Sequence, residues 1–427
     1  MTEQTLQADL TWIDGEFVAD RAVTVGSDGR IAAVSAPGSS PVRRLPGTAL
    51  LPGFINVHSH AFQRGLRGSG ERFPAGKGSF WSWREAMYEL VMSLDRQRLR
   101  RLCVRAFAEM RDAGYTTVGE FHYLHHDRGA DFAFDDIVLD AAAEVGIRMV
   151  LLQTYYAAGG VGRALEPGQR RFATLDLDQF WRQFELLSRR IDPATQSLGV
   201  VAHSVRAAGV EAIKALHREA LSRGLPFHMH VEEQRREIEE AVAAYGRTPM
   251  RVLCDELDEG GFTAVHCTHT SRQDMAAFLA RGGRVCLCPL TEANLGDGIP
   301  DLATAHATGG RLCLGTDSNL RIAALEDMRW LEYGQRLRGE LRGALADSRG
   351  EVAATTLAAA TSGGAAALGV TAGRIAPGEW ADLAAIDLTA GALAEVPSGG
   401  LLDAIVFGTG NRVVAGTFVG GKWRPTD

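Results

Sequence analysis

Lysine is almost missing from this chain of 427 residues: of its 45 cationic side chains, only Lys77, Lys214 and Lys422 are lysine. Nearly every positive charge is therefore a guanidinium, permanently ionised and forked to match carboxylates. Long apolar runs are missing too. None approaches 18 residues, and the polar, acidic start (Thr2, Glu3, Asp9) has neither the basic nor the apolar region of a secretion signal, so a cytoplasmic protein with no membrane partner is expected. There is no Pro-rich or Gly/Ser tract, so the 49 glycines signify tight turns in a chain folded throughout. Blocks of like charge are absent, and a net charge of −7 with interspersed signs gives no reason to expect nucleic acid as a partner. The six cysteines (103, 254, 267, 286, 288, 313) lie inside apolar runs, as reduced thiols do, rather than in the loops of a disulfide framework. Cys286 and Cys288 form a CxC pair with no second pair nearby to complete a four-thiolate metal site.

What is present is ordinary globular composition, 46% hydrophobic and 23% charged, in a length that suits either two or three average domains or one barrel with additions. Residues 8 to 50 alternate short apolar pieces with turns, as small antiparallel strands do. From 50 onward eight apolar runs follow, at 50–57, 116–121, 148–155, 197–202, 225–231, 262–267, 284–288 and 311–315. Segments with helical patterning separate them, among them Arg98 to Asp112, Asp135 to Val145, Val210 to Ser222 and Arg272 to Ala280. No Gly-x-Gly-x-x-Gly follows the first run, so the alternation predicts a closed α/β (β/α)8 barrel over 50–370 rather than an open doubly wound sheet. After 370 the short strands return, at Asp382–Asp387, Ala404–Phe407 and Arg412–Val419. Residues 1–49 and 371–427 are expected to form one small β-sandwich domain from both termini.

Chemistry in such barrels gathers at the C-terminal ends of the strands. The first run delivers His58 and His60 there, two residues apart and so on one face, where both imidazoles can reach one ion. An isolated HxH is as readily a pair of polar residues bonded to backbone, and the remaining strand ends must decide. Run 2 ends in Glu120-Phe121-His122-Tyr123, run 4 in His203-Ser204-Val205-Arg206, and run 5 in His228-Met229-His230-Val231-Glu232-Glu233. Run 6 ends in His266-Cys267-Thr268-His269 and run 8 in Gly315-Thr316-Asp317-Ser318-Asn319. Of twelve histidines, only His217 and His306 lie well away from such ends. The metal reading prevails.

This pattern (HxH after strand 1, His with Glu three residues on after strand 5, His after strand 6, Asp after strand 8) resembles the amidohydrolase superfamily, in its mononuclear-metal deaminase branch. More narrowly, His58-Ser59-His60-Ala61-Phe62-Gln63-Arg64-Gly65, Phe80-Trp81-Ser82-Trp83-Arg84-Glu85, Glu120-Phe121-His122-Tyr123-Leu124-His125-His126 and Thr291-Glu292-Ala293-Asn294-Leu295-Gly296-Asp297-Gly298 are similar to the formimidoylglutamate deiminases. Those enzymes hydrolyse N-formimino-L-glutamate to N-formyl-L-glutamate and ammonia in histidine degradation. The resemblance implies one divalent metal, Zn2+ first, on His58, His60, His230 and Asp317, an N3O set that leaves a place for an activated water. Superfamily members with two metals bridge them by a carboxylated lysine after strand 4; here that stretch is Gly199 to His203, and no lysine stands at a strand end.

It further implies that Glu233, rather than the neighbouring Glu232, is the proton carrier, and that His266, rather than His269, polarises the water or stabilises the adduct, beside a catalytic Asp317. His269 is then structural or in support of these groups. His228, one layer deeper than His230, is expected to be a hydrogen-bonded interior histidine. A substrate with two carboxylates calls for buried cations and donors, and the resemblance suggests Gln63, Arg84, Tyr123, His203 and Arg206. Arg84 follows an aromatic loop, Phe80 to Trp83, suited to fold over the site as a lid. The alternatives are another deaminase or cyclic-amide hydrolase of the superfamily, of the guanine-deaminase or imidazolonepropionase type, and a barrel without chemistry. A homodimer is expected from size and the habits of the resembled family.

Overall fold

Each apolar run of the central region faces two hydrophobic environments, the barrel interior on one side and covering helices on the other, so burial is continuous along it. Every position of Tyr115–His122 and of Arg148–Tyr155 is buried. The computed structural model describes residues 2–38, 42–69, 71, 73, 78–258, 260–302, 306 and 311–426. The strands Phe54–Ser59, Tyr115–His122, Arg148–Tyr155, Gln196–Ala202, Phe227–Val231, Thr263–His266, Arg284–Leu287 and Leu312–Leu314 are barrel strands 1 to 8. They pair in parallel, in sequence order. Strands 1 and 8 meet at a bridge between Ser59 and Asp317. Side chains reinforce this seam: Asn56 Nδ2 donates to Thr316 Oγ1 (2.7 Å), and Thr316 N donates to Asn56 Oδ1 (3.0 Å). The helices expected from periodicity are present, Val210–Ser222 and Arg272–Ala280 with the expected bounds and Arg96–Asp112 and Ala133–Val145 within two residues of them.

Three expectations need correction. The run beginning at Leu50 is two strands, not one. Val42–Pro52 pairs with Leu383–Asp387 in the terminal sheet, and barrel strand 1 begins at Phe54. Gly53 is the switch between them, because a Cβ there would lie 2.2 Å from Thr116 Oγ1. The segment Phe80 to Trp83 is no loop but the first turn of a helix, Phe80–Ser93, started by a capping box in which Ser79 and Ser82 bond each other's backbone N–H groups. Ala404 to Phe407 lies in a helix, Leu401–Gly408, since four apolar residues satisfy either periodicity; the strand expected from Arg412 begins at Val414.

Strands from both termini join in one mixed eight-stranded sheet. It has its own core of Leu6, Val23, Val25, Ile31, Leu50, Leu383 and Phe418. A buried ion pair fastens it to the barrel: Arg148 of strand 3 donates to both oxygens of Asp382, at 2.7 and 3.2 Å, and lies 4.0 Å from the Trp380 ring centre. Arg148→Met strands a buried carboxylate and is expected to cost about 3–5 kcal/mol in chemical denaturation, most of it recovered when Asp382→Leu is added. Equal costs for the single and double variants would show that the pair is not what matters.

All six cysteines are buried and unpaired. Among the described residues no helix is long and apolar enough to cross a membrane. Lys214 meets Glu211 and Glu256 on helix surfaces, Lys422 opens a terminal strand, and Lys77 lies outside the described residues.

Candidate active site

Barrel closure brings the strand ends together at one buried point. Strand 8 can approach strand 1 there only because residue 315 is glycine: a Cβ would stand 2.7 Å from His58 Cβ. Asp317 follows in the left-handed region, with φ of 48°. Its Oδ1 lies 3.5 Å from His58 Nε2 and 3.3 Å from His60 Nε2, while His230 Nε2 lies 3.2 Å from His58 Nε2. His60 donates from Nδ1 to the Phe121 carbonyl (2.8 Å) and His230 from Nδ1 to the His203 carbonyl (3.1 Å). Those bonds leave both Nε2 atoms as bare lone pairs aimed at the centre. Burial holds all three rings uncharged, His60 down to about 3. Burial alone would raise the Asp317 carboxyl, but His58, His60 and His266 keep it well below the usual range. Neutral lone pairs and a carboxylate converging within 3.5 Å repel one another unless a cation lies between them. The ligand atoms of His58, His60 and Asp317, and those of His58, His230 and His266, form two clusters, each within 4.8 Å, that share His58, and their nitrogen and oxygen donors fit a divalent ion.

His266, at the end of strand 6, stacks on His230 with ring centres 5.5 Å apart. Burial works against its charge, yet Glu233, Glu292 and Asp317 raise its pKa to about 10. Its Nδ1 lies 3.2 Å from Glu292 Oε1, which also accepts from Cys288 N, and its Nε2 lies 3.9 Å from Glu233 and 4.0 Å from Asp317. With Nδ1 held by Glu292, the ring presents Nε2 towards Glu233 and Asp317. Glu233 is pushed up to about 7, first by burial and then by Asp317 and Glu237, against His266 and Arg206. Glu232 turns away: with φ of 53° its carboxylate accepts from Met250 N (2.9 Å) at the start of the helix Pro249–Glu256.

Gln63, Arg84, Tyr123, His203 and Arg206 line one narrow cavity with His60, His230, Glu233, His266 and Asp317. Gln63 Nε2 donates to the Tyr123 hydroxyl (2.8 Å), leaving Gln63 Oε1 buried without a partner among the described residues. Arg84 projects in from the helix Phe80–Ser93 and donates to Tyr88 Oη (2.6 Å). Arg206 is braced by buried Glu237 at 3.5 Å. Burial, then Arg206, keeps His203 uncharged. Two other histidines stand apart. The His228 Nε2–H donates to the Ala367 carbonyl (2.8 Å) deep in the barrel, as an interior histidine does. His269 is away from the cavity, in a polar groove with Trp81, Arg236 and Asp297.

Reading strand ends alone misses Tyr88, Tyr156, Phe172 and Trp83 of the cavity wall and the supporting carboxylates Glu237 and Glu292. Tyr156 follows strand 3, whose end carries no histidine to mark it. Glu237, one helical turn beyond Glu233, is the one whose spacing held a signal.

A barrel with this site at the C-terminal ends of its strands defines a class, and the comparisons agree. The profile of the amidohydrolase family matches residues 49–424, and the chain belongs to that family: it is a hydrolase acting on C–N bonds. The formimidoylglutamate deiminase of Pseudomonas aeruginosa is 37% identical over 93% of this chain and 89% of its own. A 5-methylthioadenosine/S-adenosylhomocysteine deaminase of Natronomonas pharaonis is 28% identical over 98% of this chain and 90% of its own. The crystal structure of an amidohydrolase from Brucella melitensis superposes with a TM-score of 0.90 at 31% identity, covering 99% of this chain and 94% of that one.

Proposed function

We propose that the protein hydrolyses N-formimino-L-glutamate to N-formyl-L-glutamate and ammonia in the cytoplasm. The observation that carries this reading is the cavity wall: Arg84 and Arg206, with Gln63, Tyr123 and His203, line one narrow space together with Glu233, His266 and Asp317. Two carboxylates can be held at the arginines while the formimino carbon lies at the acid–base pair. His58, His60, His230 and Asp317 would hold a divalent ion, zinc first, and that ion would supply an activated water at neutral pH. Water oxygen bonds to the formimino carbon, Glu233 takes up a water proton, and His266 donates to the charge that develops. Glu233 hands protons to the former imino nitrogen. The C–N bond then breaks, and both water hydrogens leave on ammonia.

The 28% identical adenosine-type deaminase supports a second reading, attack on a ring amidine of a purine. A planar base needs no carboxylate clamp. Ammonia release by metal-loaded protein from formiminoglutamate, and not from guanine or 5-methylthioadenosine, is the expected result, with Arg84→Met and Arg206→Met each raising KM roughly tenfold or more. No turnover of formiminoglutamate, or purine turnover indifferent to both substitutions, would sink the proposal.

A further inference from the structure

Strand 2 runs on into a segment whose histidines play no part in the site. Its side chains face opposite ways. Phe121 packs on His230 (ring centres 4.2 Å apart) and Tyr123 on His60 (4.8 Å), towards the cavity. His122 and His125 turn the other way, onto Asp135 of the helix Ala133–Val145. Asp135 Oδ1 accepts from His122 Nε2 and from His125 Nδ1, both at 2.9 Å, and its Oδ2 accepts from Gln183 Nε2 at 2.9 Å. The His125 Nε2–H donates in addition to the Thr154 carbonyl at 2.8 Å. His125 is thus held at both ring nitrogens, between Asp135 and the Thr154 carbonyl, and neither the His125 nor the Asp135 side chain has any exposed surface. Burial alone would raise the Asp135 carboxyl, but His125 and His122 hold it well below the usual range.

The barrel ladder explains what this anchor is for. Pairing with strand 3 holds Phe121 against Leu152 and His122 against Gln153, and stops there. Tyr123 is the first residue beyond the ladder. Its hydroxyl is bonded to Gln63 on the cavity wall, and the side chains on either side of it, His122 and His125, are both fixed to Asp135.

We infer that Asp135 is a positioning residue: gripping His122 and His125 on both sides of Tyr123, it sets where the Tyr123 hydroxyl meets the substrate. The inference rests on the proposed reaction. Asp135 itself never touches the cavity.

The test is Asp135→Asn in the metal-loaded enzyme, alone and combined with Tyr123→Phe. The single variant is expected to raise KM for formiminoglutamate roughly tenfold with kcat within about threefold, since the displaced group binds substrate and does no proton transfer. Metal content should stay at one ion per chain, because Phe121, whose carbonyl orients His60, is held in the ladder. In the Tyr123→Phe background the same substitution should change KM less than about twofold. His125→Gln, which breaks the double hold on this ring but keeps a donor, provides a second route to the same KM effect should Asp135→Asn fold poorly. Unchanged KM in both variants, or effects that multiply independently of Tyr123, would overturn the inference. So would loss of a second bound metal ion in Asp135→Asn, which would make the cluster a cation site. Wild-type enzyme inactive on formiminoglutamate would instead count against the functional reading.

Discussion

Glu233→Gln is expected to lower kcat by about 10²–10⁴-fold while the protein keeps its fold and its metal. Glutamine has the same shape but cannot accept and return a proton. Only Glu233 can take this part, since Glu232 is committed to Met250 N on the far side of the turn. The pH profile carries the same information. The working form is the carboxylate, which the protein surroundings alone push up to about 7, so activity is lost as pH falls through the pKa that Glu233 has in the metal-loaded enzyme. A cation at the neighbouring His and Asp cluster favours the carboxylate and moves this acidic limb below 7. In Glu233→Gln the limb should vanish from the residual activity. A variant with near-normal kcat would assign the proton transfer elsewhere.

Removing the metal is expected to have an effect as large, and here Asp317 is decisive. Dialysis against a chelator should abolish ammonia release, and about one equivalent of zinc should restore it. Asp317→Asn should bind little metal, because the carboxylate is the only negative charge among four donors that are otherwise neutral imidazoles. Binding shows in stability too. A ligand at a thousandfold excess over its Kd stabilises the native state by about 4.1 kcal/mol, so zinc should raise the melting temperature of the parent protein and leave that of Asp317→Asn nearly unmoved. Gly315→Ala, which forces a methyl group against His58, should mimic the loss. Full metal occupancy in Asp317→Asn would refute this donor set.

The barrel and the side chains proposed to hold its metal are legible in the order of residues along the chain. Eight buried runs separated by helical patterns give the barrel because a parallel sheet buried on both faces needs continuous apolar strands, and its chemistry has to emerge where those strands end. Histidines at the ends of strands 1, 5 and 6 and aspartate after strand 8 therefore stand out in one dimension. Misreadings arise in short apolar stretches, where four residues such as Ala404 to Phe407 suit helix and strand alike, and at Phe80 to Trp83, where a serine capping box outweighs an aromatic-rich composition.

The sequence by itself determined the architecture and the kinds of donor available, because periodicity and residue type are local properties. Which donors converge was decided only in three dimensions. Glu233 and not Glu232 faces the cavity because one residue takes a positive φ, and the pKa of His266 is raised because three carboxylates from distant segments surround it. Tyr123 is aimed by an aspartate twelve positions on, through buried hydrogen bonds that no spacing rule encodes. Electrostatics depends on distance through space, and barrel closure brings together residues that the chain keeps far apart.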